Sequence, residues 1–239
     1  MILKNITLDT PAENVLYDEV LLRSAEKGQQ GEALRFWEPR DIFVVMGLIG
    51  KLHDEVILEN IKKDNVPVLR RFSGGGTVVQ GRGCLNFTLV LDKGRNNDLP
   101  DIRKSYAFIL NKVITALKRC DIEAVLQPLS DLALHEGLRK FSGNAQHRGR
   151  KFIMHHGTIL YDFDLALIEK YLCMPGKYPE YRQERGHGDF VTNIKGAPAR
   201  IKDELCHEFL VSKENNTVSQ QEESILKELS SQSRHRVLI

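Results

Sequence analysis

Ser73-Gly74-Gly75-Gly76 separates two β-rich stretches, residues 66–71 and 77–79. Neither helix nor strand tolerates three consecutive glycines, so regular structure stops there and the backbone is bare of Cβ atoms. A bare backbone can approach a ligand closely, and its free amides can cradle an anion. Arg70 and Arg71 precede the run and add fixed charge with planar donors suited to carboxylate or phosphate. No Gly-Lys-Ser/Thr follows the glycines, so the segment is not a Walker loop. Composition alone allows a second reading, a glycine-rich hairpin loop without a ligand.

The surrounding pattern mixes strands and helices. Thr10-Pro11-Ala12-Glu13 carries a capping box and a proline in the first turn, which predicts a helix with Leu16, Val20 and Ser24 on one face and an end at Gly28. Strands are predicted over 34–37, 42–46, 66–71, 77–79, 85–91 and 152–161, and helices over 54–63, 164–172 and 201–210. Asp101 caps the strongest helix, in which Tyr106, Ile109, Leu110, Val113, Ile114 and Leu117 recur at helical spacing as a core face. Residues 178–189 are charged, contain Gly186 and Gly188, and read as a mobile loop. Hairpin-like pairs occur beside crossovers, which predicts an α+β class with a mixed β-sheet flanked by helices. Residues 1–211 form one predicted domain; residues 212–239 read as a polar linker and a short C-terminal helical tail.

With 239 residues, 41% of them hydrophobic, the chain can bury a core without disulfides. Cys84, Cys120, Cys173 and Cys206 lie far apart and form no CxxC pair, which argues against a zinc site or disulfide framework and for a reducing, cytoplasmic setting. No apolar run approaches a membrane span. A net charge of +2 with sparse aromatic interleaving gives no argument for nucleic acid.

Two further segments carry candidate chemistry. Lys140-Phe141-Ser142-Gly143-Asn144-Ala145 sets a lysine beside a small, polar, glycine-containing turn that can present its ammonium to a ligand; most lysines are merely solvated. His155-His156-Gly157-Thr158 falls in a predicted strand. Adjacent strand residues face opposite ways, so the two histidines do not share a metal, and at least one is structural.

Taken in order, Arg-Arg-x-Ser-Gly-Gly-Gly-x-Val, Lys-x-Ser-Gly-x-Ala and His-His-Gly-Thr resemble the signature of the lipoate–protein ligase family. The likeness extends to the first helix, Phe36-Trp37, Val44-Val45-Met46-Gly47, Ser130-Asp131-Leu132 and Val191-Thr192-Asn193, and covers roughly residues 10–212. It implies the biotin/lipoate protein ligase catalytic-domain fold, which is class II synthetase-like, with helices on one side of a mixed sheet. It also implies a two-step reaction: ATP and Mg2+ activate lipoate as lipoyl-AMP, and the acyl group passes to a lysine of an acceptor. In that scheme Lys140 holds the acyl carboxyl and the phosphate. Arg71, Ser73, Gly74, Gly75, Gly76, His156 and Gly157 enclose the acyl chain, and the dithiolane lies in an apolar tunnel. Arg70, Thr77, Val78, Asp131, Ser142, Gly143 and Ala145 join Lys140 around the nucleotide. No protein metal ligand is implied. The implied acceptors are lipoyl domains of 2-oxoacid dehydrogenase E2 subunits and the glycine-cleavage H protein, which the basic stretch 146–151 would meet through Arg148 and Arg150.

The sequence departs from the family pattern in three places. The chain ends before the accessory domain that many ligases carry, which points to a separate accessory subunit as one possibility. Gln80 stands where many ligases have histidine, and Gly47-Leu48-Ile49-Gly50 lacks the usual polar residues. The competing readings are a lipoyl or octanoyl transferase of the same fold and a non-catalytic adenylate-binding module. A cysteine transferase needs a nucleophile that neither residues 127–139 nor 191–193 supply; Cys84 matches neither position.

Overall fold

The computed structural model describes residues 1–128, 130–232 and 237–239. In chain order the elements begin β1 (Ile2–Asn5), α1 (Pro11–Glu26), β2 (Ala33–Trp37), β3 (Phe43–Met46), α2 (Leu52–Glu55), α3 (Leu58–Lys63) and β4 (Val68–Arg70). They continue with β5 (Val78–Gln80), β6 (Cys84–Asp92), α4 (Ile102–Arg119), β7 (Ala124–Gln127), β8 (Asp131–Leu134), β9 (Lys140–Arg148) and β10 (Phe152–Leu160). The last are α5 (Ala166–Tyr171), α6 (His187–Phe190), α7 (Pro198–Glu208), β11 (Lys213–Glu214) and α8 (Gln220–Gln232).

The main sheet has the order β11-β1-β2-β6-β10-β9-β8-β7. β11, β1 and β2 run parallel, and every later pair is antiparallel. A second sheet, β4-β3-β5, carries the glycine loop between its outer strands. Helices cover both faces of the main sheet, a correction to the one-sided expectation. Leu16, Val20 and Leu21 of α1 and Ile225 and Leu229 of α8 pack on Ala33, Val90 and Met154. On the other face Ile109, Val113 and Leu117 of α4 and Ile201 and Leu205 of α7 pack on Leu34, Phe87, Leu89 and Ile153. β6 serves both cores because its side chains alternate between faces.

Local signals explain most boundaries. Thr10 accepts from the Glu13 amide at 3.2 Å, and the Glu13 carboxylate accepts from the Thr10 amide at 3.1 Å, satisfying two orphan donors. Three predicted elements change. The single helix expected over 54–63 splits into α2 and α3, because Val56 and Ile57 turn aside to pair with the end of α5: Val56 bridges Leu172 and the Ile57 amide donates to Tyr171. The turn expected around Ser142 and Gly143 lies inside β9, paired on both sides; tertiary pairing overrides weak propensity. Residues 178–189, expected as a loop, contain the short turn Glu180–Arg182, with Arg182 buried, and the start of α6.

The described residues of the segment 212–239 are docked on the rest of the chain. β11 pairs with β1, α8 lies against α1, and Leu238 and Ile239 bond the backbone of Val68. A buried ion pair, Lys4–Glu222 at 3.0 Å, fixes the start of α8. Residues 233–236 of this tail lie outside the described residues.

Candidate active site

The site floor is written in strand register. Arg35, Thr88, His156 and Ala145 form one cross-strand row over β2, β6, β10 and β9. Two residues along, Trp37, Asn86, Thr158, Gly143 and Asp131 form the next row, which reaches β8. Both rows face the α1 side. Asp18 of α1 comes down on the first row and accepts from Arg35 at 2.8 Å, Thr88 at 2.8 Å and His156 Nδ1 at 2.9 Å. Burial alone would raise the Asp18 pKa, but the His156 bond, the Arg35 charge and the Thr88 hydroxyl together hold it below its ordinary value of 3.8. His156 turns Nδ1 to Asp18 and shares a hydrogen bond between Nε2 and the Ser73 hydroxyl at 2.7 Å. His155 points the other way into the core, between Phe87 and Tyr106, where burial and the adjacent His156 push it down to about 3.

The glycine loop is built around Arg71. Its guanidinium donates to the carbonyls of Gly74 at 2.6 Å, Gly76 at 2.8 Å and Val45 at 3.3 Å, and to Ser73 Oγ at 3.0 Å. Burial lowers Arg71 to about 10, with Glu55 and Tyr106 opposing the shift, so it stays charged at neutral pH. Gly75 sits at φ +90, and a Cβ at Gly47 would collide with its carbonyl, so both positions demand glycine. Arg70 donates to the carbonyls of Gly47, Leu48 and Gly50, which ties the loop after β3 in place.

Two cavities meet on this floor. The first, about 180 Å³, is lined by Val15, Trp37, Val45 and Phe87 together with Asp18 and His156. Its wall mixes these apolar side chains with polar ones. Three of its polar side chains satisfy one another: Gln80 donates to Thr158, Thr158 to Asn86, and Asn86 to Gln80, at 2.8, 2.6 and 2.9 Å. The second cavity, about 690 Å³, lies between α2, β9 and the segment from Leu172 to Val191. Asp131, Lys140, Gly143, Gly76, Thr77 and Val78 border both. At this junction Lys140 Nζ lies 2.8 Å from Asp131 Oδ1, and the Tyr181 hydroxyl donates to Asp131 Oδ2 at 2.8 Å. A Cβ at Gly143 would lie 3.1 Å from Lys140 Nζ, so the missing side chain gives the ammonium its berth. Among the described residues Asp131 is its one ionic partner, leaving donors for an anion.

Of the residues singled out in the sequence, Arg71, Gly75, Gly76, Thr77, Val78, Asp131, Lys140, Ser142, Gly143, Ala145, His156 and Gly157 line one cavity or both. Arg70, Ser73 and Gly74 line neither; they hold the loop from behind. Gly157 leaves room for the Asn144 amide, which a Cβ there would strike. Arg148 is not free for an acceptor, since it donates to the carbonyls of Leu99 and Pro100, both at 2.6 Å. Cys84 is buried and its thiol is pushed up to about 12 by burial, the opposite of an activated nucleophile. Asp18, Arg35 and Tyr181 carry no motif, and the sequence reading missed them. The one local signal that could have pointed to Asp18 is the acidic pair Asp18-Glu19 inside the hydrophobic run of α1, both of which are buried.

The family model for the lipoyl protein ligase A/B catalytic domain matches residues 10–213. The probable lipoate-protein ligase A of Mycoplasma pneumoniae is 32% identical over 162 residues, 68% of this chain and 46% of that protein. Subunit 1 of Thermoplasma acidophilum lipoate-protein ligase A is 27% identical over 248 residues, 94% of this chain and 90% of that one. The chain thus spans about half the length of the Mycoplasma pneumoniae relative but nearly all of the archaeal subunit. The structure of the bi-partite Thermoplasma acidophilum ligase superimposes with a TM-score of 0.80 at 24% identity, covering 97% of this chain and 92% of that one. A lipoate-protein ligase A bound with ATP superimposes with a TM-score of 0.78 at 24% identity, covering 96% and 93%. The fold is therefore shared with these ligase structures, and the chain belongs to the lipoyl protein ligase A/B catalytic-domain family.

Proposed function

We propose that the chain catalyses adenylate-forming lipoyl transfer, with the acyl chain in the first cavity, the nucleotide in the second and the reacting carboxyl at their junction. The observation that carries this reading is the position of Lys140, whose ammonium sits where the two cavities join. Lipoate is a poor electrophile until its carboxylate oxygen attacks the α-phosphorus of ATP and displaces pyrophosphate. An acceptor lysine amine then attacks the acyl carbon of lipoyl-AMP and AMP leaves. Negative charge builds at the junction in both steps, and a fixed ammonium stabilises it. Gly75 and Gly76, held by Arg71, form the wall beside it. Magnesium would arrive on the polyphosphate, as such ions usually do; the carboxylates on the second cavity wall are Asp54, Glu55 and Asp131.

The acceptors proposed are lipoyl domains of E2 subunits and the glycine-cleavage H protein; the bi-partite archaeal ligase was described together with its E2 lipoyl domain. The site of action proposed is the cytoplasm, on the scattered, unpaired pattern of Cys84, Cys120, Cys173 and Cys206; no helix among the described residues is long and apolar enough to cross a membrane. The nearly full-length match to an archaeal subunit 1 favours a second form of the same reading, a catalytic half that works with a separate accessory subunit.

The test is the intact mass of an apo lipoyl domain incubated with the protein, lipoate, ATP and magnesium. A gain of one lipoyl group, absent with Lys140→Ala, supports a self-sufficient ligase. No gain with ATP, but a gain from synthetic lipoyl-AMP, supports the catalytic half. No gain from either sinks the ligase reading.

A further inference from the structure

We propose that Tyr181 is a positioning residue for the reaction: its phenol holds Asp131 so that the Lys140 ammonium can leave the carboxylate for the substrate anion. This rests on the reading of Lys140 given above.

Asp131 is buried between two partners, Lys140 on Oδ1 and Tyr181 on Oδ2, each at 2.8 Å. A carboxylate with both oxygens free would close on the ammonium and neutralise it. With one oxygen occupied by a phenol, the carboxylate is fixed in orientation and shares its charge with a second donor. The ammonium is then held at one oxygen only and keeps its other donors for the acyl carboxylate and phosphate.

Tyr181 does not belong to the sheet that carries Asp131 and Lys140. It lies in a short turn, Glu180–Arg182, within the segment that walls the second cavity. Its ring packs on Phe190, and Arg182 beside it is buried against the same ring. Arg185 donates to the Tyr181 carbonyl at 2.7 Å. Immediately after this turn Gln183 and Glu184 both adopt left-handed backbone, at φ 52 and 60, a conformation that costs free energy for residues other than glycine. The segment accepts that cost while directing Tyr181 onto Asp131. The wall of the nucleotide cavity and the charge at the junction are thereby joined through one hydroxyl.

A purely structural tyrosine would serve by its ring, which phenylalanine keeps. The experiment is single-turnover transfer from synthetic lipoyl-AMP to an apo lipoyl domain, with Tyr181→Phe, Asp131→Asn and the double variant, alongside calorimetric binding of lipoyl-AMP. The expected result for Tyr181→Phe is a fall of about tenfold in the transfer rate at saturation, as for loss of a hydrogen bond to a charged group, with affinity changed by less than about twofold. In the Asp131→Asn background the same change has no further effect, because its route is gone. Additive losses, or a loss confined to affinity, overturn the proposal. Wild-type protein that binds lipoyl-AMP without transferring it overturns the reading of Lys140, and this proposal with it.

Discussion

Asp18 on α1 and His156 on β10 meet at 2.9 Å across the seam between helix and sheet, and the same carboxylate neutralises the fully buried Arg35. One side chain thus fixes the ring orientation of His156, the seat of the Ser73 hydroxyl and the only buried cation–carboxylate pair beneath the first cavity among the described residues. Removing its charge strands Arg35. Asp18→Asn is expected to cost about 3 kcal/mol in urea unfolding at pH 7, as breaking a buried pair does. The sign of the pH dependence follows from a folded pKa held below 3.8. The stabilisation is present above pH 3.8 and is lost as pH falls through the folded value. The gap between wild type and variant therefore narrows below pH 3.8; a gap that stayed constant to pH 2 would contradict the ionised Asp18.

His155 gives a second, separate pH signature. Its pKa is about 3 in the fold and 6.5 unfolded. Between these values the unfolded chain binds the proton and the folded one does not. Stability contributed by neutral His155 is thus full above pH 6.5 and falls by about 1.4 kcal/mol per pH unit as the pH drops toward 3. His155→Gln should flatten this part of the stability curve. Unchanged slopes in parallel urea titrations at pH 7, 6, 5 and 4 would show that His155 is protonated in the fold.

Lys4 and Glu222 test whether the C-terminal segment belongs to the domain. Both side chains are 2% exposed. Lys4→Met leaves Glu222 buried and unpaired and should destabilise the whole domain by about 3 kcal/mol, whereas Lys4→Met with Glu222→Leu recovers most of that loss. A separate melting transition for the tail, with the main transition unmoved, would mean that α8 folds independently.

Gly47 and Gly75 pack backbone against backbone. Gly47→Ala must push the glycine loop away and should cost about 1–3 kcal/mol, the usual range for overpacking. The displaced carbonyl belongs to the wall of the first cavity, so the Michaelis constant for lipoate should rise more than the turnover number falls. Steady-state kinetics with lipoate as the varied substrate decides this; an unchanged Michaelis constant argues that the loop does not touch the acyl chain.

Lys140→Arg keeps the charge but not the shape. Gly143 makes room for a slender ammonium, and a planar guanidinium reaches Asp131 with two donors instead of one. Transfer should fall about 100-fold, in the range for losing one preorganised donor to developing charge. Quenched-flow mass spectrometry of the lipoyl domain measures it, and near wild-type rates would mean that charge alone suffices.

Some of this was open to a reader of the sequence. Thr10 and Glu13 announced α1 because capping is a local contest between a side chain and the first amides. The periodic face of Ile109, Val113 and Leu117 announced α4. The glycine run, Lys140 and His156 were marked by residue types that a solvated surface or a plain core seldom needs together. β9 was not readable, because Ser142, Gly143 and Asn144 have no strand preference and are held only by β10 and β8. Val56 and Ile57 interrupt the helix expected over 54–63 because their partner, the end of α5, lies more than a hundred residues away.

From the sequence alone one could read where α1 and α4 begin, where the backbone stays bare, and that a loop, a lysine and a histidine pair share one chain in family order. Those are matters of neighbours within a few residues. Only the tertiary structure decided that Arg35, Thr88 and His156 stand in one cross-strand row beneath Asp18, and that Tyr181 reaches the carboxylate beside Lys140. Strand register and helix docking set those distances through the packing of two cores, and no short stretch of sequence encodes them.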